Sequence, residues 1–433
     1  MKRLFYILFL ITSQYSFGQN QFDFKKFTKK MCSSEFHGRG YVNGGDSIAA
    51  DYIAHQMMLL DIDSLPSGYF QPFELDVNTF PDSCSIHIHN ESLIPGVDYL
   101  INPNSNGTCM DNKCIGARSF DSKHIEVIDM KKLFEEDWDP NWWRSYDDET
   151  IYVIDNNVSE DSLSIYVHQM AQNTSKYYDV IELVHNKFTW SVSSMPQKHL
   201  YIQMKKTVFD SLKTDTLHLK IHLHNTHLTH YESNNVIGQI RAKKKAKGTI
   251  MLTAHYDHLG RMGSNTYFPG ANDNASGVAM LLQLGSMLKL KPLKRYDIIL
   301  VAFSGEEAGL IGSKHMSENP LFDIRDVRFL LNLDIMGSGE EGITAVNGRV
   351  FKKEFKRLQK LNEKLKAVPV VKARGKAANS DHYFFTEKGV SSFFIYTMGE
   401  NKNYHDVYDT YENLTFSSFE GLSKLFYTFL RRI

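Results

Sequence analysis

Four continuous apolar runs in the second half of the chain, Thr249–Ala254, Asp297–Phe303, Phe329–Ile335 and Ser392–Tyr396, constrain this sequence more than any other feature. Each has the length of a strand and none alternates cleanly with polar residues, so both faces of the sheet must be covered. Between the first two runs lies Ala275–Leu290, where Val278, Leu281, Leu282 and Met287 fall on one stripe at helical spacing. Strands alternating with helices predict an α/β fold: a mixed, mostly parallel central sheet with helices on both faces. In such sheets ligands gather beyond the carboxyl ends of the strands.

The chemistry-bearing residues fall at those ends. The first run stops at His255-Tyr256-Asp257-His258, where a histidine can ligate a metal and a neighbouring carboxylate can fix its tautomer. Taken alone, a polar strand terminus explains it equally well. Gly270–Gly277 then leads into the helix. Helix capping accounts for one acidic or amide residue there, but not for Asn272, Asp273 and Asn274 in succession. The second run ends in Ser304-Gly305-Glu306-Glu307, two adjacent acids that repel unless positive charge is close. Asp334 sits inside Leu-Asn-Leu-Asp-Ile-Met, an unfavourable burial unless a cation pairs with it. Tyr404-His405-Asp406-Val407-Tyr408-Asp409 supplies a second histidine with an acid placed to orient it. Together these give two histidines, three ligand-type acids and one free glutamate, a donor set suited to zinc at an open catalytic site. Two such ions about 3.5–4 Å apart activate one water and steady an oxyanion.

The rest of the chain frames this core. Lys2 and Arg3, the apolar run Leu4–Thr12, and small residues at Ser16 and Gly18 read as a signal peptide over 1–18, predicting a secreted or periplasmic protein. Residues 19–79 form the N-terminal part of the catalytic domain, with 22–74 predicted helical. Residues 80–231 hold all four tryptophans and short β-like runs, and read as a largely β inserted domain; 232–433 form the core. Lys plus Arg is 49 against 50 for Asp plus Glu, so bulk charge gives no reason to expect a nucleic-acid partner, and no later run is long enough to span a membrane. Four cysteines (Cys32, Cys84, Cys109, Cys114) allow three pairings, with Cys109 and Cys114 close enough in sequence for a local bridge. His218, His222 and His224 share one face of an alternating run, which a half-exposed strand explains without a metal. Trp138, Trp142 and Trp143 are best read as local packing.

The ordered segments His255-Tyr-Asp257, Gly-Ala-Asn-Asp273-Asn-Ala-Ser-Gly, Gly-Glu306-Glu307-Ala-Gly, Asn-Leu-Asp334-Ile-Met-Gly and His405–Asp409-Thr closely resemble the zinc exopeptidase family of bacterial leucyl aminopeptidase, aminopeptidase Y and glutamate carboxypeptidase. Glu35–Tyr41 is similar to the family's lead-in. The resemblance implies two Zn2+ ions held by His255, Glu307, Asp334 and His405, with Asp273 bridging both and Glu306 as general base. It further implies that Asp257 orients His255, that Asp409 orients His405, and that Ser380-Asp381-His382 forms a substrate-side loop. Where some relatives carry an oxyanion-binding tyrosine this chain has Ala377, leaving Tyr383 and Tyr404 as candidates. An insert at 80–231 is similar in position to a protease-associated domain. The implied substrates are peptides with a free N-terminus. Two alternatives compete: a one-zinc glutaminyl cyclase on the same architecture, and a non-catalytic binding protein that would have shed a ligand or the base.

Overall fold

The computed structural model describes residues 22–106, 109–110, 113–114, 118–119, 124–135, 150–212 and 218–433. The predicted signal peptide and Trp138, Trp142 and Trp143 lie outside these residues, as do the side chains of Cys109 and Cys114, although those two positions pair across a short hairpin. Cys32 and Cys84 are buried free thiols in different cores.

An eight-stranded sheet organises the molecule. Its strands are β1 (Phe70–Thr79), β2 (Thr226–Ile240), β3 (Thr249–His255), β4 (Asp297–Phe303), β5 (Val327–Asp334), β6 (Gly342–Val346), β7 (Val371–Ala373) and β8 (Ser392–Met398). They run in the order β1-β2-β4-β3-β5-β8-β6-β7. The central four, β4, β3, β5 and β8, are mutually parallel, while β1, β2 and β6 pair antiparallel with their inner neighbours. All four apolar runs are therefore central strands, and alternate residues separate onto two cores. Ile250, Leu252, Ile298 and Leu300 face one side, against α1 (Phe24–Met31), α2 (Gly45–Leu59), α3 (Ser276–Leu290), α5 (Lys352–Leu365) and α7 (Phe419–Leu430). Met251, Ile299, Val301 and Leu330 face the other, against Met316 of α4 (Ile311–Glu318) and Phe385 of α6 (His382–Glu387). Among the described residues no helix is long and apolar enough to cross a membrane.

The predicted helical stretch 22–74 is too long. Helix α2 ends at Leu59, Asp61 takes a left-handed φ of 53°, and Gly68 one of 101°. With Pro66 between them removing a backbone donor, the chain turns and enters β1 at Phe70.

Between β1 and β2 the chain builds the insert. It is rich in strands, with a five-stranded and a four-stranded sheet. In the larger sheet His124–Asp129, Thr150–Asp155, Asp179–Val184 and Tyr201–Lys205 are parallel neighbours, and the helix Asp161–Thr174 makes one crossover. This helical component was not legible from the sequence. The alternating histidine run forms Leu219–Leu223, with Leu219, Ile221 and Leu223 buried; His218 and His222 lie against His89 and His87, and His224 pairs with Asp82 at 2.6 Å. The insert core continues into Leu259, Met262 and Phe268, in the loop that follows His255.

Candidate metal centre

Three adjacent parallel strands deliver side chains to one carboxyl edge. His255 is the last residue of β3, Glu306 and Glu307 follow the end of β4, and Asp334 closes β5. Asp273 enters from the tight turn before α3. Its neighbours explain the run of small residues: a Cβ at Gly277 would stand 2.1 Å from Asn274 Oδ1 and 2.6 Å from the Leu333 carbonyl, so only glycine fits. His405 enters from the loop after β8.

These residues, scattered over 150 positions of sequence, converge. Asp273 Oδ1 lies 3.2 Å from His255 Nε2, and its Oδ2 lies 3.0 Å from His405 Nε2. Asp334 Oδ1 is 3.5 Å from His255 Nε2, and Glu307 Oε2 is 3.2 Å from His405 Nε2. Asp273 thus stands between two half-sites, one oxygen turned to each. His255, Asp273 and Asp334 bring ligand atoms within 4.8 Å of one another, as do His258, Asp273 and Glu307.

Charge shows that the pocket suits cations. Asp257, Asp273 and Asp334 are buried, Asp334 Oδ1 has no hydrogen-bond partner, and the Glu306 carboxyl is pushed well up by burial and by neighbouring carboxylates. The buried Arg39 gives its donors to backbone carbonyls instead of these acids. Burial lowers the proton affinity of His405, yet Glu307 and Asp273 still drive it up to about 11. Histidine contacts hold the Asp273 and Glu307 carboxyls low, but burial pushes Asp334 up as it does Glu306, a cost that divalent metal would remove.

The model of peptidase family M28 matches residues 235–430. Over that stretch the chain is similar to peptidase family M28. Aminopeptidase YwaD of Bacillus subtilis (strain 168) is 32% identical over 206 residues, covering 45% of this chain and 42% of that protein. A probable zinc metalloprotease of Leptosphaeria maculans is 36% identical over 114 residues, covering 25% of this chain and 26% of that protein. The matches thus span less than half the length of these relatives. In fold, the chain is similar to the structure of BSAP, a zinc aminopeptidase from Bacillus subtilis, with a TM-score of 0.66 at 19% identity over 95% of each chain.

Within this centre two orienting roles differ from expectation. Asp409 does not face His405: its carboxylate accepts from the backbone N–H groups of Asn272 (2.9 Å) and Asp273 (3.0 Å), so it holds the Asp273 turn. The partner of His405 Nδ1 is the Trp190 carbonyl at 2.9 Å, contributed by the insert. Asp257 keeps its carboxylate 3.8 Å from His255 Nδ1, beyond hydrogen-bonding range, and uses it to accept from Tyr41 Oη (2.9 Å) and the amides of Glu306 and Glu307. His255 Nδ1 meets the backbone carbonyl of Asp257 instead, at 3.2 Å. The Ser380–Asp381 loop is fully buried and not a substrate wall. Ser380 Oγ accepts from Asn332 and approaches Asp334 Oδ2 at 3.4 Å. Asp381 has neither oxygen hydrogen-bonded, and burial pushes its carboxyl up to about 7. Tyr383 packs on Phe384, whereas Tyr404 stacks on His405 at 3.9 Å and lines a cavity of about 320 Å³ with Asp273, Ile335 and Met398.

Three contributors escaped the sequence reading. His258 is buried, its Nδ1 2.9 Å from Glu307 Oε1. Arg39 binds the carbonyls of Met31, Tyr256, Pro269, Gly270 and Asp273. Trp190 is the third. His258 and Arg39 lay inside recognised segments, but their partners are a distant carboxylate and backbone atoms, which leave no motif.

Proposed function

We propose that this chain is an exported aminopeptidase that binds two zinc ions and removes residues from the N-termini of peptides. The observation that carries this reading is Asp273, with one carboxylate oxygen against His255 and the other against His405. His255 and Asp334 would complete one metal position, His405 and Glu307 the other. Zinc, when bound there, supplies a Lewis acid that makes water a stronger acid and polarises the peptide carbonyl.

The protein's own residues do the remaining work. Among the described residues, Glu306 is the carboxylate of the cluster without a histidine within ion-pair distance, so it is free to accept a proton from the attacking water. Its raised proton affinity, from burial first and then from neighbouring acids, suits a base that must later protonate the leaving amine. The names of the matched relatives, an aminopeptidase and a metalloprotease, favour peptide substrates. The cavity beside Asp273 and Tyr404 offers a place for the terminal side chain. Export follows from the N-terminal sequence, whose charged, apolar and small residues are ordered as in signal peptides.

The test combines elemental analysis with hydrolysis of aminoacyl chromogenic substrates, with and without chelator, for the intact protein and Glu306→Gln. Two zinc ions per chain, chelator-sensitive release, and a variant that keeps both ions while losing at least about a hundredfold in turnover are expected. One zinc with ammonia release from N-terminal glutamine would assign a glutaminyl cyclase, and activity without metal would defeat both readings.

A further inference from the structure

The segment that follows β3 reaches Glu307 twice. Asp257 accepts from the backbone N–H groups of Glu306 and Glu307, each at 3.2 Å. One residue further, His258 meets the Glu307 side chain, its Nδ1 2.9 Å from Oε1. As a carboxylate Glu307 only accepts, so Nδ1 carries the proton and donates it. His258 Nε2 is buried and, among the described residues, has no hydrogen-bond partner. A second ring proton would be stranded there, so the imidazole is neutral. The two half-sites therefore differ. The outer acid of one, Glu307, receives a ring N–H on Oε1, while that of the other, Asp334, has the Ser380 hydroxyl 3.4 Å from Oδ2.

The His258 ring is itself held in place. Its backbone N–H donates to the Arg39 carbonyl at 3.2 Å, and its ring stands edge-on to that of His405, with centroids 5.8 Å apart. The edge away from Nδ1 lies against Gly270, where a Cβ would stand 2.4 Å from Cδ2. A donor fixed in this way engages one oxygen of Glu307 and leaves Oε2 for the half-site, 3.2 Å from His405 Nε2. Hydrogen-bond partners of ligating carboxylates orient them and tune the affinity for metal. We infer that His258 is a positioning residue: it aims Glu307 and sets the zinc affinity of the Asp273–Glu307–His405 half-site alone, an assignment that rests on the two-zinc reading above. Direct ligation by His258, whose ligand atoms also lie near Asp273 and Glu307, is the competing role.

Stepwise zinc titration of the metal-free full chain against a chromogenic chelator separates these roles without any assay of hydrolysis. His258→Leu removes the donor and fills its space; it should weaken one of two ions about 10–100-fold and leave the other within about twofold. His258→Ala provides the same measurement where the leucine variant does not fold. His258→Asn places an amide N–H where Nδ1 donates but offers zinc no ring nitrogen, and it should bind both ions as the wild type does. In a His405→Ala background, where that half-site is already broken, His258→Leu should change zinc binding no further. Two ions in the wild type with unchanged binding in the leucine variant would overturn the role of His258 alone. So would equal weakening of both ions, or loss of an ion in the asparagine variant, which would indicate ligation. Fewer than two ions in the wild type would defeat the two-zinc reading and this role with it.

Discussion

Trp190 and His405 grip each other through two contacts: the Trp190 N–H donates to the His405 carbonyl at 2.9 Å, and the Trp190 carbonyl lies 2.9 Å from His405 Nδ1. A carbonyl can only accept, so Nδ1 carries the proton and, in the neutral ring, Nε2 offers its lone pair toward Asp273 and Glu307. The insert therefore sets the tautomer of a residue in the candidate metal centre. Trp190 is itself held by its indole N–H on the Ile101 carbonyl at 2.6 Å and by stacking on Phe268 at 4.5 Å. Trp190→Ala frees this segment and should lower zinc affinity by about 10–100-fold. Chelator competition measures it, with Trp190→Phe, which keeps the stacking, falling between the two. Unchanged affinity in the alanine variant would mean that the insert does not tune His405.

Arg39 reaches five carbonyls from a fully buried position, including those of Gly270 and Asp273. Among the described residues no carboxylate lies within ion-pair distance of it, so these hydrogen bonds, with the more distant charge of Asp409, offset its burial. The turn is built around the guanidinium: a Cβ at Gly270 would lie 2.5 Å from Arg39 Nη2, and that residue's φ is 57°. Arg39→Lys leaves several carbonyls without donors, at roughly 1–3 kcal/mol each before relaxation. A net loss of about 3 kcal/mol in urea unfolding is expected, together with weaker zinc binding through the displaced Asp273 turn. A loss below about 0.5 kcal/mol, the scatter of ordinary surface changes, would refute the clamp.

The apolar runs made the central sheet legible because a strand buried on both faces has little choice of residue. Their ends made the site legible, since His255, Glu307 and Asp334 follow strands whose order in the sheet then fixes their meeting. What the sequence hid was made by backbone atoms or by compensation. Asp409, four residues after His405, reads as its partner, yet the amides of Asn272 and Asp273 compete for the same carboxylate and win. Trp190 acts on His405 through a carbonyl, a group every residue has. The insert's parallel sheet was hidden for a related reason: its helix Asp161–Thr174 buries only Val167, Ala171 and Thr174, too thin a stripe to register as a helical period.

Removing the metal should expose the cost of the acid cluster. Asp273, Glu307 and Asp334 crowd two histidines in a buried pocket, and bound zinc stabilises the folded state by mass action, about 2.7 kcal/mol at a hundredfold excess over Kd. Thermal unfolding of the chelated protein should fall by several degrees and recover on adding zinc. Asp273→Asn, which weakens both half-sites at once, should abolish that recovery. A melting temperature indifferent to chelator in the wild-type protein would contradict a metal-filled centre.

Asp46 provides a pH test that does not rest on a metal ligand. It is fully buried at the start of α2, where it accepts from Tyr231 Oη at 2.6 Å and Ser233 Oγ at 2.7 Å. Burial raises its carboxyl to about 6, with those two hydrogen bonds pulling the other way. The unfolded chain titrates near 4, so between roughly pH 4 and 6 the native state holds the extra proton. Stability from this group is full below pH 4 and declines as pH rises through 6. The charged form then costs up to about 3 kcal/mol at neutral pH. Asp46→Asn removes that dependence: relative to wild type it should gain stability steadily from pH 4 to pH 7 and level off above. Urea unfolding at intervals across that range reads the difference directly, and a wild-type-minus-variant gap that is flat with pH would show that Asp46 stays ionised throughout.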